Sequence, residues 1–368
     1  MPTFVTKAQI PDRDALMKRF GRLLETAWFT NRGEMVRELE EKLAEYLGVK
    51  HVVAVGNGTV GIQALIKALG LCGNVVTTPF TFIATASAVK WEALDVAFAD
   101  IDPGSWNLDA NNAADRVDEN TAAIMPVHVF GNPCNLAAIQ RVADEKDLPV
   151  IYDAAHAFGV RKDGESVLRA GTASILSFHA TKLFHTVEGG AVITDDEALA
   201  EDVRKRINFG ITGQESIECV GINGKMSEFH AAMGLCLLPD MDRYIAKREA
   251  LAEVYRDELG DVVQRQAWAE GATNNHGYQP VLLESETTLK RVQAALARHE
   301  IFPRRYFYPS LDTLDFLNAG DVCPVSRDVA SRILCLPMYA ELEEATCRQV
   351  CRIVADAVDE GVATRSTA

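Results

Sequence analysis

From His51 to Thr194 the chain alternates short apolar runs, rich in valine and isoleucine, with longer segments of helical periodicity. Few folds accept that rhythm. Strands linked by helical crossovers must run parallel, and a parallel sheet has to be covered on both faces. The pattern predicts strands over His51–Val55, Thr77–Phe82, Val96–Asp100, Ala122–Val127, Pro149–Asp153, Ile175–Phe178 and Gly190–Thr194. It predicts helices from the turn after Val55 to about Gly70, over Ala84–Trp91 and over 136–147. Two amphipathic helices, 12–27 and 34–47, come first, parted by the loop Trp28-Phe29-Thr30-Asn31-Arg32-Gly33. From Met226 to about Leu259 the pattern is helical again, with an interruption near Pro239.

Beyond about residue 240 the character changes. A short strand (Gln279–Leu283), a helix (Thr288–His299) and a closing helix (Ala345–Val358) suggest a smaller unit, and Gly361–Ala368 reads as a frayed end. The expected class is α/β: a mostly parallel mixed sheet with helices on both faces over 1–240, plus a small C-terminal α+β domain over 241–368. At 368 residues the chain can bury both cores.

Composition removes some partners. A formal charge of -15 speaks against nucleic acid and anionic membranes, both of which need clustered cations. No apolar run approaches the length of a membrane span, and Met1-Pro2-Thr3-Phe4 does not open like a signal peptide. The cysteines (72, 134, 219, 236, 323, 335, 347 and 351) are scattered without a CxxC pair, which suggests reduced thiols and a cytoplasmic protein. Cys347 and Cys351, one helical turn apart, read as packing residues, and no metal is expected.

Ligands of open parallel sheets lie beyond the carboxyl ends of strands. The turn Gly56-Asn57-Gly58-Thr59 lies at such an end, and Gly56-x-Gly58-x-x-Gly61 satisfies a dinucleotide fingerprint. The next strand, from Val75, ends without the acid that would hold a ribose, which weighs against a nicotinamide oxidoreductase. A phosphate remains, held by helix N–H groups and the Thr59 hydroxyl. Lys182 is the other unusual residue. It follows the run Ala173-Ser174-Ile175-Leu176 and is flanked by Phe178, Leu183 and Phe184. Apolar surroundings lower a lysine's pKa and make the nucleophilic amine accessible, although a snorkelling lysine would look similar.

Such lysines form Schiff bases, most often with pyridoxal phosphate. That cofactor also needs an acid at its pyridine nitrogen, phosphate donors and a flat apolar platform. Asp153, at a strand end, suits the first, and taken alone it would read as a helix cap. Gly58, Thr59 and Ser177 suit the second, and Phe80 or Phe82 the third.

Six motifs come in one order: Gly58-Thr59, Thr78-Pro79-Phe80-Thr81-Phe82, Asp153-Ala154-Ala155-His156, Ser177-Phe178-His179-Ala180-Thr181-Lys182, Glu188-Gly189-Gly190, and Gly221 through Glu228. In order and spacing the set resembles the DegT/DnrJ/EryC1/StrS aminotransferases, from Trp28 to Tyr339. The resemblance implies a fold-type I pyridoxal phosphate enzyme acting on a nucleotide-linked keto sugar. Lys182 would hold the cofactor and shuttle the proton, Asp153 would pair with the pyridinium, and His156 would lie near the ring hydroxyl. Phe82 would stack on the ring, and Gly58, Thr59 and Ser177 would bind the phosphate. Asn223 would reach a partner's phosphate, making the active unit a homodimer.

The amino donor implied is L-glutamate, with the cofactor cycling through pyridoxamine phosphate. Substrate-side candidates are Thr30, His179, His185, Arg304, Arg305, Tyr306 and Tyr308, with packing as the alternative for the two histidines and a solvated basic pair for the two arginines. The run Arg304 to Pro309 most resembles enzymes that take dTDP-4-keto-6-deoxyglucose to a 4-amino sugar of viosamine type, a step in cell-surface glycan (O-antigen) synthesis. Amination at C-3 is the neighbouring possibility. A family branch with His at the lysine position removes a hydroxyl instead, and Lys182 points to transamination.

Overall fold

The computed structural model describes residues 2–317 and 320–366. Its centre is a sheet ordered His51–Val55, Gly190–Thr194, Ala173–Ser177, Ile151–Asp153, Thr121–Met125, Asn74–Thr77, Asp95–Phe98. A four-stranded and a three-stranded section meet through the parallel bridges Ile124 to Val150 and Val127 to Asp153. Only Gly190–Thr194 runs against its neighbours. The sheet is mixed and mostly parallel, as its sequence rhythm requires.

Successive residues of the strands are buried in turn on opposite faces, in the manner of a sheet covered twice. Val52 and Ala54 join the core built with Leu39, Leu43 and Leu235, whereas Val53 and Val55 join Ile62, Val89 and Val203 on the other face. The first face is covered by the helices Arg13–Thr26, Glu34–Leu47 and Glu228–Leu237. The second is covered by Gly58–Ala68, Ala84–Trp91 and Glu197–Arg206, the last of which was not anticipated. A further core, between Leu251 and Ala357, gathers the helices Met241–Leu259, Glu286–Ala297 and Glu344–Ser366 around the paired strands Gln279–Leu282 and Ile333–Leu336.

Two expectations shift, in the strand before Phe80 and in the closing helix. The strand expected over Thr77–Phe82 is Asn74–Thr77, because Pro79 has no N–H for a ladder. Thr78 Oγ1 takes the Phe80 amide at 3.1 Å, and Phe80 to Phe82 leave the sheet as a loop. The interruption expected near Pro239 is there, as the 3-10 turn Leu238–Asp240 between two helices. The closing helix, expected over Ala345–Val358, runs from Glu344 to Ser366, through most of the segment expected to fray. Thr367 and Ala368 lie outside the described residues.

The antiparallel strand brings Glu188-Gly189-Gly190 to the same edge as the carboxyl ends of its neighbours. Gly190 lies so close to the start of helix Gly58–Ala68 that a Cβ there would stand 2.7 Å from both the Gly58 nitrogen and the Leu176 carbonyl oxygen. Neither backbone atom can turn aside. Gly190→Ala is therefore expected to lower the thermal unfolding midpoint, at a cost of about 1–3 kcal/mol. An unchanged midpoint would show that this approach is looser than it looks.

Candidate active site

A cavity of 590 Å³ opens at this edge of the sheet. On its wall the structure brings together Gly58, Thr59, Phe82, Asp153, His156, Ser177, His179, Lys182, Arg304 and Tyr306. A second hollow of 390 Å³, by Arg32, Arg204, Lys205 and Lys225, holds none of the expected site residues.

Lys182 rises from the loop joining Ser177 to Gly190, which folds back through the Phe178 amide on the Gly189 carbonyl (2.9 Å). Its Nζ donates to the Tyr278 hydroxyl at 3.1 Å. Burial lowers its pKa from 10.5 to about 8, while the negative charge of Asp153 and then Tyr306 work the other way. Burial outweighs both, so the neutral amine is populated near neutral pH.

Asp153 ends its strand as a buried carboxylate, 7% exposed. Its Oδ2 accepts from Thr85 Oγ1 at 2.7 Å, and its Oδ1 from the Ala155 amide at 3.1 Å. Thr85 is itself 2.9 Å from Thr81 Oγ1, so the first turn of helix Ala84–Trp91 orients the acid. A carboxylate has lone pairs beyond these two bonds. His156 accepts the Phe130 amide at Nδ1 (3.2 Å), which leaves its proton on Nε2. Burial, then the charge of Lys182, keep its pKa well below 6.5 and the ring neutral.

Of the two platform candidates, Phe80 is fully buried among Phe130, Phe307 and Trp106, whereas Phe82 is half exposed at the cavity. Asn57 caps helix Gly58–Ala68 by accepting the Val60 amide, and the amides of Gly58 and Thr59 stay outside the helix's own ladder. Those groups, with Ser177 beside them, make a ready anion site. A buried acid, a depressed lysine, an exposed aromatic face and amides at a helix start are the donors pyridoxal phosphate requires, and these residues fit it.

The two expected arginines part company. Arg304 exchanges backbone bonds with Cys335 (3.1 and 2.8 Å) in an isolated antiparallel bridge, so adjacent side chains diverge. Arg304 turns to the cavity, its guanidinium 4.7 Å from the Tyr306 ring centre. Arg305 turns away, donating to Glu286 (3.2 Å) and the Ser331 carbonyl (2.8 Å) and lying over Tyr308. His185 is buried, with Nδ1 accepting from Val187 and Nε2 at 2.9 Å from the Gln9 carbonyl. Thr30 and Asn223 are exposed in loops away from the cavity. The motif's Glu228 has a structural task. Its carboxylate accepts the Gly33 and Met35 amides (2.7 and 2.8 Å), capping helix Glu34–Leu47, whose own N-cap glycine lacks a side chain.

Two residues at the site escaped the sequence reading: Thr85 and Tyr278. Tyr278 comes from beyond residue 240 and outside the run Arg304 to Pro309, where no motif flagged it. Thr85 had one faint signal, a hydroxyl in the first turn of a helix that follows Phe82.

The chain matches the DegT/DnrJ/EryC1/StrS aminotransferase family over residues 12–355. It is 42% identical to a dTDP-4-amino-4,6-dideoxy-D-glucose transaminase of Shigella dysenteriae over 348 residues, 93% of this chain and 95% of that one. A transaminase of the same description from Escherichia coli is 34% identical, over 95% of this chain and 97% of its own. Among solved structures, DesI, crystallised in the presence of its TDP-sugar product, superposes with a TM-score of 0.94 at 36% identity, covering 100% of this chain and 96% of its own. The isolated glycine fingerprint thus serves no dinucleotide-enzyme fold. Matched along nearly its whole length and folded as those enzymes fold, this chain belongs to the DegT/DnrJ/EryC1/StrS aminotransferase family, and pyridoxal phosphate is its cofactor.

Proposed function

We propose that the enzyme transfers the amino group of L-glutamate to a nucleotide-linked keto sugar, dTDP-4-keto-6-deoxyglucose, forming the 4-amino-4,6-dideoxy sugar. The observation that carries this reading is Lys182, a half-buried amine whose pKa desolvation lowers to about 8, on the same cavity wall as the Asp153 carboxylate. The sugar is inferred from relatives whose names specify a dTDP-4-amino-4,6-dideoxyglucose.

Pyridoxal phosphate, when bound, supplies the electron sink and carries the amine between donor and acceptor. The chain's own residues do the rest. Lys182 takes and returns protons at Nζ, as a base whose pKa suits neutral pH. Asp153 holds a negative charge where a protonated ring nitrogen would need it, and Phe82 offers an apolar face. Arg304 supplies a cation at the cavity for a carboxylate or a diphosphate. Residues of both proposed units, 1–240 and 241–368, line the cavity, so it lies between them in this reading.

The same reading makes the enzyme a cytoplasmic homodimer. Eight free cysteines suit a reducing compartment. No helix of the described residues is long and apolar enough to cross a membrane. Phe209, Ile211, Ile217, Val220 and Ile222 are exposed around Asn223, an apolar surface that a second copy would cover. Asn223 would then approach the partner's cofactor phosphate.

A pH prediction follows from Lys182. Capture of pyridoxal phosphate requires the neutral amine, which is present above the pKa and lost below it. With a pKa of about 8, roughly a quarter of the amine is neutral at pH 7.5, against about one part in a thousand for an ordinary lysine. The capture rate of the apoprotein, followed by absorbance, is expected to rise with pH and level off above about 8. A rate still climbing tenfold per unit at pH 9.5 would contradict the depressed value.

The function is tested by NMR of the product made from glutamate and dTDP-4-keto-6-deoxyglucose with the loaded enzyme. Nitrogen at C-4 is expected. Nitrogen at C-3 of a 3-keto substrate would move the reaction one carbon, and a deoxygenated keto sugar without nitrogen would mark a dehydratase.

A further inference from the structure

Tyr278 belongs to none of the motifs that carry the family resemblance, yet its hydroxyl is hydrogen-bonded to the Lys182 amine. Its hydroxyl accepts from Lys182 Nζ at 3.1 Å, and the amine stands 5.8 Å from its ring centre. The phenol is fixed from every side. Its ring centre lies 4.3 Å from that of His156 and 5.6 Å from that of Phe130, and Tyr306 meets it edge-on at 5.9 Å. The backbone on its N-terminal side is pinned as well. Asn275 donates to the His156 and Phe158 carbonyls (2.8 and 2.9 Å) and accepts the Gly277 amide, while the buried Arg248 donates to the Gly277 carbonyl at 3.3 Å. On the C-terminal side Gln279 pairs with Leu336 in the small sheet. Ring and flanking backbone are thus held, and they aim the hydroxyl at the Lys182 amine.

We propose that Tyr278 is a catalytic residue that holds the amine of Lys182 whenever that amine is not covalently engaged, keeping Nζ aimed into the cavity for proton transfer. This assignment rests on the aminotransferase reading of the site. The hydroxyl accepts a hydrogen bond and keeps its own proton, and no bond is made or broken at Tyr278. A lysine side chain has four rotatable bonds, and a base that wanders from the reacting proton loses rate steeply. One neutral acceptor, rigidly mounted, limits that wandering without neutralising the amine. Burial raises the phenol's pKa, so it remains a hydroxyl across the working range.

The variant Tyr278→Phe keeps the ring and removes the oxygen. Two readouts separate holding the amine from mere packing. In the half-reaction with glutamate, kcat is expected to fall about tenfold, the worth of one hydrogen bond to a charged group, with KM and cofactor affinity within twofold of wild type. The primary isotope effect with α-deuterated glutamate should rise at the same time, since proton transfer becomes slower relative to the other steps.

The second readout uses the apoprotein: the pH dependence of Lys182 labelling by pyridoxal phosphate trapped with borohydride. An accepted hydrogen bond favours the ammonium, so removing it should move the labelling midpoint to lower pH by half a unit or more. The other titratable or charged groups on the cavity wall, Asp153, His156, His179, Glu188, Arg304 and Tyr306, are the same in both proteins. If wild type itself fails with glutamate, the choice of donor is wrong, and the labelling experiment still judges Tyr278. An unchanged midpoint with unchanged kcat and isotope effect would overturn the proposal. So would a loss of cofactor affinity with kcat intact, which would make Tyr278 a packing residue.

Discussion

Lys182→Ala is expected to reduce transamination by at least about 10³-fold, the combined loss of a positioned proton carrier and of a nucleophilic amine. The change removes the one amine on the cavity wall and leaves the rest standing. Asp153 stays held by Thr85 and Ala155, and His156 stays on the Phe130 amide, since none of these bonds passes through the lysine. Pyridoxal phosphate should therefore still bind, without a covalent link, and borohydride should leave no mass increment on the peptide around residue 182. Two further measurements sharpen the expectation. Small amines such as methylamine should restore part of the rate, as the cavity left by the side chain opens on the same wall. Lys182→Arg should be as inactive as the alanine variant despite its charge, because a guanidinium does not give up its proton near neutral pH. Turnover above a tenth of wild type in Lys182→Ala would remove the lysine from the chemistry.

Much of this molecule was legible in its residues, for reasons that differ from element to element. The strands His51–Val55 and Gly190–Thr194 coincide with their apolar runs because a strand buried on both faces has nothing else to be. Thr77–Phe82 misled because its last residues are as apolar as a strand while Pro79 forbids the ladder, and the chain uses them instead to bring Phe82 to the cavity. The site residues carried by the sheet edge, Gly58, Asp153, Ser177 and Lys182, could be read in order because short loops tie them to strand ends. Arg304 and Arg305 could not be told apart. Which of two neighbours faces a cavity depends on the register of an extended segment against Cys335, a contact thirty-odd residues away that no local pattern encodes. Tyr278 is the extreme case: it meets Lys182 only through the packing of chain beyond residue 240 against the sheet, and an aromatic before a strand looks like core. His185 shows the converse, a histidine near Lys182 in the chain whose ring is spent on tying the N-terminal segment to the loop.

Asp153→Asn is expected to slow transamination by on the order of 10²–10³-fold, the scale on which enzymes lose rate when one preorganised electrostatic partner is removed. The substitution is nearly isosteric, so the effect is one of charge and of hydrogen-bond sense. An asparagine can offer its carbonyl oxygen to Thr85 or to the Ala155 amide but not to both; with the oxygen on the Ala155 amide, its NH2 would donate to Thr85 Oγ1 and reverse that bond. More consequentially, the cavity loses its buried negative charge, and a ring nitrogen beside a neutral amide would have no reason to keep its proton. The same change acts on Lys182 in the opposite direction. Asp153 holds the lysine's pKa up against burial, so without it the amine should become neutral at a pH below 8 and capture pyridoxal phosphate faster at pH 7. Faster capture with slower turnover is a combination that unfolding, distortion or lost cofactor cannot produce, since each of those would weaken both. Stopped-flow capture and steady-state turnover on one preparation decide it. If both fall together, Asp153 only maintains the site. If turnover is untouched, the carboxylate is a helix cap that happens to line the cavity.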